Sequence, residues 1–587
     1  MTTWARANYS LITLAISVLF IVVYRLLNVH THEISWDAFG YYLYLPSIFI
    51  HGDFLLNDIS WIHQANETYH LTDTLYQLSA SPSGEPMYFF LMGMSLFYLP
   101  FFFIAHLVAL SFGFESDGFS APYQYSLAIG CISYTIIGLV YLRKLLIKYF
   151  GDKAAGLTIL LMVFGTNVIH HLTIKNLETV NVLFMLAVVS VYCIDRFYQY
   201  GKPRYLIISV IAAALMILVK PSEGVIIVLL LCWNACTISG LRGQLSQLLS
   251  HWKTLCIAGF GVILMAAPQL WYWYSKTGHL LYDSYVNPGV GLDFFSPHIW
   301  DVLFSYRKGW FVYTPLIAFV LAGLIWLTTK KPSLGLPIVV FVALELWVVS
   351  SWTEWWYGAA FSCRPMIVTY PFIAFGLAYF LERLFNFKSW ARLALGTFIG
   401  LAALLSLFKY WQQEVGILDP YRMTGEYYWS TFLDTEWNAS KQRLLLVRRT
   451  FDGNAKLQFP EYYGAVELSN AQSVAVENEF FSLLRTPYEE LSDKDHVWIE
   501  VVVSGDSVLV RDELYIVSEM VREEGSYGYH AQPIDLSENH ADTIRYLTPE
   551  VRDEADMVHV YIWNRNLKKL RLASVSILVL ERDSEAK

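Results

Sequence analysis

Long apolar stretches alternate with short polar loops over the first two thirds of the chain. The first stretch covers roughly residues 9–27 and is long enough to cross a bilayer as one helix. Further apolar runs follow at about residues 88–112, 122–142, 155–172, 179–195, 204–219, 222–236, 254–274, 311–328, 336–351, 365–384 and 390–409. This pattern predicts a polytopic α-helical membrane protein with about 11–13 transmembrane helices.

The last third of the chain has a different pattern. Short runs of alternating β-branched and aromatic residues are separated by Gly, Asp and Asn turns, as at 497–503, 514–517, 558–563 and 575–580. A period of two is typical of strands in an antiparallel β-sandwich. We therefore predict a transmembrane domain over residues 1–410, with a polar outer loop at 28–86, and an extracytoplasmic all-β sandwich over 411–587.

Basic residues predict which loops face the cytoplasm. They cluster at residues 196–204, 242–253, 330–331 and 383–392, so the loops between these clusters and the polar tail face outward. Arg6 places the N-terminus inside, and an outward tail then requires an odd number of crossings, whereas the chain has twelve apolar runs. Because Pro100 interrupts the stretch 80–142, we expect a re-entrant run or an additional crossing there.

Composition agrees with a membrane protein and narrows its partners. Hydrophobic residues make up 55% of the chain and charged residues only 16%, against about a quarter charged in soluble domains. The net charge of −9 argues against a nucleic-acid partner. The tail contains none of the six cysteines, which excludes an internal disulfide there, and Cys232 and Cys236 have no neighbouring His or second Cys pair that would complete a zinc site.

The polar segment after the first apolar run carries the most notable acidic residue. Asp37 lies among Trp36, Tyr41 and Tyr42, so its carboxylate is expected at the lipid–water boundary, where it can meet both a lipid-borne and a polar substrate. An alternative is that Asp37 is the N-cap of a short helix beginning at Ala38, since Asp is a favourable N-cap residue. Glu33 and Asp53 in the same loop are expected to be surface carboxylates.

Four outward-facing segments resemble those of a known family. They are SWDAFGY (35–41), GEPMYFFLMGMSLFYLPFF (84–102), YRKGWFVYTP (306–315) and WWYGAAFSCRP (355–365). In order and spacing they are similar to bacterial membrane glycosyltransferases of the C-type fold, the glycosyltransferase family 39-like group that contains protein mannosyltransferases and lipid A aminoarabinose transferases. The resemblance covers about residues 9–410.

This resemblance implies an inverting transfer of a sugar from a polyprenyl-phosphate donor to a glycan, lipid or protein acceptor. The acidic residue of the first outer loop, here Asp37, would act as base on the acceptor. A cation must stabilise the leaving phosphate, and Arg364 is the first candidate, followed by Arg307 and Lys308. The alternative for Arg364 is a side chain that snorkels to the lipid headgroups.

The resemblance also implies a second acidic or His residue near the fourth or fifth helix. His170, His171, Glu178 and Glu223 are the candidates, and the sequence does not choose among them. Glu178 could instead be a carboxylate favoured by a helix N-terminus, and Glu223 could simply pair with Lys220. Aspartate motifs of nucleotide-sugar enzymes are not evident, which fits a lipid-linked donor; a divalent metal is possible but not required.

Two alternative functions stay open. A polysaccharide or lipid transporter would need charges at mid-membrane, whereas the apolar runs carry few, chiefly Glu345. A lipid-linked oligosaccharide ligase or polymerase would share the carrier but move longer glycans. The expected location is the bacterial cytoplasmic membrane, with the active site and the tail on the periplasmic side. The last strands resemble those of jelly-roll carbohydrate-binding modules, so the tail either caps the active site or binds glycan.

Overall fold

The computed structural model describes residues 8–72, 75–285, 291–446, 463–494, 496–505, 514–522, 525–536, 540–548, 551, 555–567 and 569–582. The chain divides into two compact units. The first is helical and ends near residue 437, and the second contains residues 422–430 and the chain from 438 onward.

The first unit consists almost entirely of helices. Its helices are α1 (Tyr9–Leu27), α2 (Trp36–Tyr42), α3 (Tyr44–Phe49), α4 (Ser60–Tyr69), α5 (Gly93–Phe112), α6 (Ala121–Gly130), α7 (Ile132–Tyr149), α8 (Asp152–Phe164), α9 (Thr179–Tyr200), α10 (Pro203–Val219), α11 (Ile226–Cys232), α12 (Ile238–Ser250), α13 (Trp252–Thr277), α14 (Ile299–Phe304), α15 (Trp310–Tyr313), α16 (Leu316–Lys330), α17 (Pro332–Ser350), α18 (Tyr370–Leu384) and α19 (Ser389–Glu414). A short hairpin pairs β1 (Leu78–Ala80) with β2 (Pro86–Tyr88), and tighter turns of helix cover His170–Ile174, Pro221–Val225 and Arg364–Thr369.

Apolar helices of membrane-spanning length confirm the predicted fold class. Within the described residues, eight helical segments are long and apolar enough to cross a bilayer, and three shorter apolar helices accompany them. Helix α8 adds a further segment that runs beside α1 in the same direction. Ser10 of α1 hydrogen-bonds Asp152 at the start of α8, and the ring of Phe20 packs against that of Phe164 at its end.

Helix α5 has the length of a membrane span, but the chain lies against the polar loop 28–86 near the start of the helix and again shortly after its end. Near its start, the hydroxyl of Ser95 donates to the carbonyl of Tyr41. Just after its end, the carbonyl of Gly118 accepts from Tyr42, and the Asp117 carboxylate accepts from Tyr69. We infer that α5 returns the chain to the side from which it started. The eight long segments, the three shorter apolar helices and α8 make twelve in the described chain. Without α5, eleven remain, which is the odd number of crossings that the charge pattern requires.

A labelling experiment tests this topology. Single cysteines replacing Glu67, before α5, and Glu115, after it, are expected to react from the same side of the membrane with an impermeant thiol reagent. A cysteine replacing Lys202, in the loop between α9 and α10, is expected to react only after permeabilisation. The background has the six native cysteines replaced by Ser. Protection of Glu115→Cys in intact spheroplasts would show that α5 crosses.

The first outer loop is fixed to the end of α1 by a buried ion pair. The side chain of Arg25 is fully buried. Its two terminal nitrogens, Nη1 and Nη2, contact the Glu33 carboxylate at 2.8 and 2.6 Å. Bidentate pairs of this kind are strong and directional. The expectation that Glu33 is a surface carboxylate is therefore wrong. Asp53 also has a structural contact, since it accepts from the Asn57 amide and the Asp58 backbone.

The second unit has the strand order of a jelly roll. Its strands are β3 (Tyr463–Val476), β4 (Phe480–Pro487), β5 (Trp498–Ser504), β6 (Leu514–Arg522), β7 (Gly525–Pro533), β8 (Ala541–Leu547), β9 (Met557–Asn564) and β10 (Leu570–Arg582). They form two antiparallel four-stranded sheets with the orders β3-β10-β5-β8 and β4-β9-β6-β7. The unit also contains the short helix α20 (Gly425–Ser430), a 3-10 turn at Ala439–Leu444 and the single-turn helix α21 (Tyr488–Leu491).

Alternating residues of these strands build the core of the second unit. Ile499, Val501 and Val503 of β5 are buried and face Val579, Ile577 and Val575 of β10 in register. The period of two in the sequence therefore gives one apolar face per strand, as two packed sheets require. The predicted jelly-roll-like sandwich is confirmed.

Candidate active site

Asp37 lies in the first turn of α2 and points its carboxylate at a tyrosine and an arginine. Its Oδ1 accepts a 2.7 Å hydrogen bond from the hydroxyl of Tyr76, and its Oδ2 lies 3.5 Å from Nη2 of Arg364. The side chain is 38% exposed. The helix begins at Trp36 with Ser35 as its N-cap, so the interpretation of Asp37 as the cap of a helix beginning at Ala38 is wrong.

The backbone before Asp37 is held in a rare conformation. Trp36 has a φ of +51°, a left-handed value that a bulky residue seldom adopts. Its N–H donates to the carbonyl of Leu71, and its own carbonyl accepts from the side chain of Gln77. These bonds fix the direction in which the Asp37 side chain leaves the loop.

Arg364 bridges two carboxylates that come from distant parts of the chain. Its Nη1 lies 3.0 Å from Oε1 of Glu178, and its Nη2 is the atom that faces Asp37. Arg364 opens the turn before α18, and Glu178 immediately precedes α9. The guanidinium side chain is 18% exposed and faces these two acids, an arrangement different from a side chain that snorkels to the lipid headgroups.

A histidine extends this line of contacts. Nδ1 of His171 lies 3.0 Å from Oε2 of Glu178, and Nε2 lies 3.0 Å from the carbonyl oxygen of Phe361. Burial alone would raise the pKa of Glu178. The opposing effects of Arg364 and His171 are larger, so the pKa falls below its usual value. Glu178 is therefore the ionised counter-charge that holds Arg364. We refer to Asp37, Arg364, Glu178 and His171 as the arginine cluster.

Both ring nitrogens of His171 face acceptor oxygens, namely the carboxylate of Glu178 and the carbonyl of Phe361. A neutral imidazole carries only one N–H, so these two contacts fit the doubly protonated ring.

The other two predicted cations lie beside the cluster with different partners. Lys308 is buried, and its ammonium donates to the carbonyl oxygens of Ala360 and Pro420. Burial and repulsion from Arg307 and Arg364 lower the pKa of Lys308 well below its usual value. The Arg307 guanidinium donates to the carbonyl of Tyr421 and lies 4.0 Å over the Trp356 ring. In this arrangement Lys308 supports the loop that leads to Arg364.

Two further candidates have contacts of their own. Nδ1 of His170 lies 3.3 Å from Glu414, whereas Glu223 pairs with Lys220 at 3.2 Å. In the described part of the chain, neither His170 nor Glu223 hydrogen-bonds Asp37 or Arg364. The structure therefore brings Glu178 and His171 into the arginine cluster and leaves the other two outside it.

Sequence reasoning missed Tyr76, the hydroxyl donor to Asp37. Tyr76 lies in the polar loop with no periodic pattern around it, and the two residues are 39 positions apart. Burial raises the pKa of Tyr76, and the nearby Asp37 carboxylate raises it further. The phenol therefore stays protonated and can donate its hydrogen bond to Asp37. With many tyrosines in the chain, the sequence alone contains no signal that selects this one.

The arrangement does not match a metal centre. Among the described residues, no three His, Cys, Asp or Glu side chains are grouped as ligands of one ion. The Asp37 and Glu178 carboxylates face a guanidinium, which supplies the positive charge at this position.

A family model provides the main comparison. Residues 101–273 match the model described as dolichyl-phosphate-mannose-protein mannosyltransferase. The predicted resemblance to C-type membrane glycosyltransferases is confirmed. The match supports, at the level of broad class, glycosyl transfer from a lipid-phosphate-linked sugar. No curated protein matches the chain significantly.

One solved structure is also similar. It is the archaeal oligosaccharyltransferase AglB from Archaeoglobus fulgidus, in complex with an inhibitory peptide and a dolichol-phosphate. The sequence identity is 12% and the TM-score 0.42, and the alignment covers 75% of this chain. This chain spans 59% of the length of that protein.

Proposed function

We propose that this protein transfers a sugar, with inversion, from a polyprenyl-phosphate-linked donor to an acceptor on the outer face of the membrane. The observation that carries the proposal is the contact between Asp37 and Arg364. A partly exposed carboxylate, able to take a proton, lies 3.5 Å from a guanidinium that a second carboxylate anchors. A glycosyl transfer from a lipid phosphate needs a base for the acceptor proton and a cation for the leaving phosphate.

In the proposed step, the acceptor hydroxyl loses its proton to Asp37 as its oxygen attacks the anomeric carbon. The new bond joins the acceptor oxygen to that carbon from the face opposite the phosphate, so the configuration inverts. The bond from the anomeric carbon to the phosphate oxygen breaks, and its electron pair leaves on the lipid phosphate. Arg364 stabilises that charge through planar N–H donors.

The unequal distances in the arginine cluster support this division of roles. Arg364 lies 3.0 Å from Glu178 but 3.5 Å from Asp37, and the longer separation is at the limit of a hydrogen bond. Nη2 can therefore exchange Asp37 for a phosphate oxygen while Nη1 keeps its contact with Glu178. That exchange frees Oδ2 of Asp37 for the acceptor proton.

The proposed location follows from the charge pattern and the loop that carries Asp37. We place the arginine cluster and the second unit on the periplasmic side of a bacterial cytoplasmic membrane. Acceptors in such a compartment are glycans, lipids or proteins. The basic loops between the helices face the cytoplasm in this arrangement.

One observation favours transport as a second candidate. Glu345 lies in α17 with a fully buried side chain, and neither of its carboxylate oxygens has a hydrogen-bond partner in the described chain. Buried acids within membrane helices mark many transport pathways.

A transfer assay separates the candidates. Purified protein in lipid nanodiscs is incubated with polyprenyl-phosphate carrying a radiolabelled sugar and with extracted envelope glycans, lipids or proteins. A transferase moves the label to an acceptor and leaves polyprenyl phosphate. A transporter moves intact donor across liposomes without cleaving it. A ligase or polymerase requires donors with longer glycans. Absence of cleavage with every donor and acceptor would refute the proposal.

A further inference from the structure

The second unit has an outward face rich in aromatic side chains. Val558, Val560 and Ile562 of β9, a strand of the sheet β4-β9-β6-β7, are buried in the core. The residues that alternate with them therefore point outward. Those residues include Tyr561 and Trp563. Register places Phe480 of β4 and Tyr515 of β6 on either side of Trp563.

These rings, together with one from β7, form a platform over four strands. The rings of Phe480 and Trp563 are near-parallel with centroids 6.4 Å apart, and Tyr515 lies 5.6 Å from Trp563. Tyr529 of β7 interacts with the hydroxyl of Tyr561. We call Phe480, Tyr515, Tyr529, Tyr561 and Trp563 the aromatic platform. Phe480 is 57% exposed and Tyr529 49% exposed, unusual values for such large rings on a folded sheet.

Polar groups border the platform and make it suitable for a hydroxylated ligand. Nδ1 of His559 lies 3.2 Å from the Glu519 carboxylate, and its Nε2 lies 3.3 Å from the hydroxyl of Ser482. The indole Nε1 of Trp563 is itself buried, so the side chain offers its ring, and not its N–H, to a ligand on this face.

From this geometry we propose that the aromatic platform binds neutral glycan chains. Flat pyranose rings present C–H groups on their faces and hydroxyls on their edges. The faces match the stacked rings, and the edges match the polar groups of His559, Glu519 and Ser482.

The charges around the platform favour a neutral ligand over an anionic surface. Glu519 is paired with His559, and the Arg565 guanidinium lies 5.4 Å over the Trp563 ring. Arg485 of β4 is the cross-strand neighbour of His559, so two arginines and one acid border the platform. This charge is small, whereas binding to anionic lipids needs clustered cations. The proposal concerns only the second unit and does not rest on the proposed transferase function.

Titration calorimetry of the full chain in nanodiscs tests the proposal. The probes are neutral hexasaccharides, namely cellohexaose, maltohexaose and mannohexaose, without any lipid-linked donor. At least one is expected to bind, and the double variant Phe480→Ala/Tyr529→Ala should weaken its Kd about tenfold or more, because it removes the two most exposed rings of the platform. Both side chains are about half exposed, so the variant should keep its melting temperature.

Two further variants make the result specific. Leu468→Ala removes an exposed apolar side chain from β3, in the other sheet, and should bind as the wild type does. Asp37→Asn should also bind normally, and a loss there would place the glycan at the arginine cluster and overturn the proposal. The proposal also fails if no hexasaccharide binds in the low millimolar range. It fails equally if the double variant loses binding to phosphatidylglycerol vesicles and keeps its affinity for glycan.

Discussion

Replacing Asp37 with Asn is expected to lower turnover by about 10²–10⁴, the usual contribution of a general base. The amide retains the size of the side chain but cannot accept the acceptor proton. Donor binding should survive, because Glu178 still anchors Arg364. The measurements are kcat for sugar transfer and the affinity for polyprenyl phosphate.

The structure separates this effect from one on stability. Asp37 is not the N-cap of α2, and the amide oxygen of Asn can still accept from Tyr76. The melting temperature should therefore change little. Glu67→Gln, an exposed acid on α4 in the same loop, is the matched control and should retain full turnover. Wild-type turnover in Asp37→Asn would exclude Asp37 as the base.

Replacing Arg364 is expected to affect both activity and stability. Arg364→Ala leaves two partly exposed carboxylates near one another without their cation, which costs less than the ~3–5 kcal/mol of breaking a fully buried pair. Transfer should fall below detection. Arg364→Lys keeps the charge, but one ammonium cannot serve Glu178 and the phosphate with the planar geometry of a guanidinium. We expect a decrease in kcat/KM of about 10²-fold with a smaller change in melting temperature.

Two comparisons make the Arg364 result interpretable. Arg204→Ala removes an exposed arginine at the start of α10 and should behave as wild type. Free guanidinium ion should partly restore transfer in Arg364→Ala if the lost function is charge at the phosphate. Full transfer in both Arg364 variants would assign the phosphate to Arg307 and Lys308.

The helices and strands could be predicted because each depends on a local pattern. Apolar runs of sufficient length are helices in the structure, and the alternating run at 497–503 is largely β5. The exception is α5, whose composition is that of a span, although the chain contacts the first loop near the start of the helix and again shortly after its end. Tertiary contacts decide its path, and hydropathy does not contain them.

The sequence could indicate which residues belong to the site, but not which of them pair with one another. The family resemblance implies Asp37 and Arg364, and it leaves Glu178 and His171 among four candidates. To prefer His171 over its neighbour His170, one must know which of the two rings faces Glu178. The bond between Glu33 and Arg25 likewise depends on the angle at which the chain leaves α1.

The arginine cluster has a consequence for how the protein is made. The proposed base and cation are 327 residues apart, with Glu178 between them. At roughly 5–20 residues per second, a ribosome needs roughly 15–65 s to add Arg364 after Asp37. In the later part of that interval, once Glu178 has been added, the nascent chain carries both carboxylates but lacks the group proposed to hold a lipid phosphate. On the proposed mechanism, unfinished chains are inert toward the donor pool, and a ribosome that stalls before the turn at residue 364 releases no active fragment.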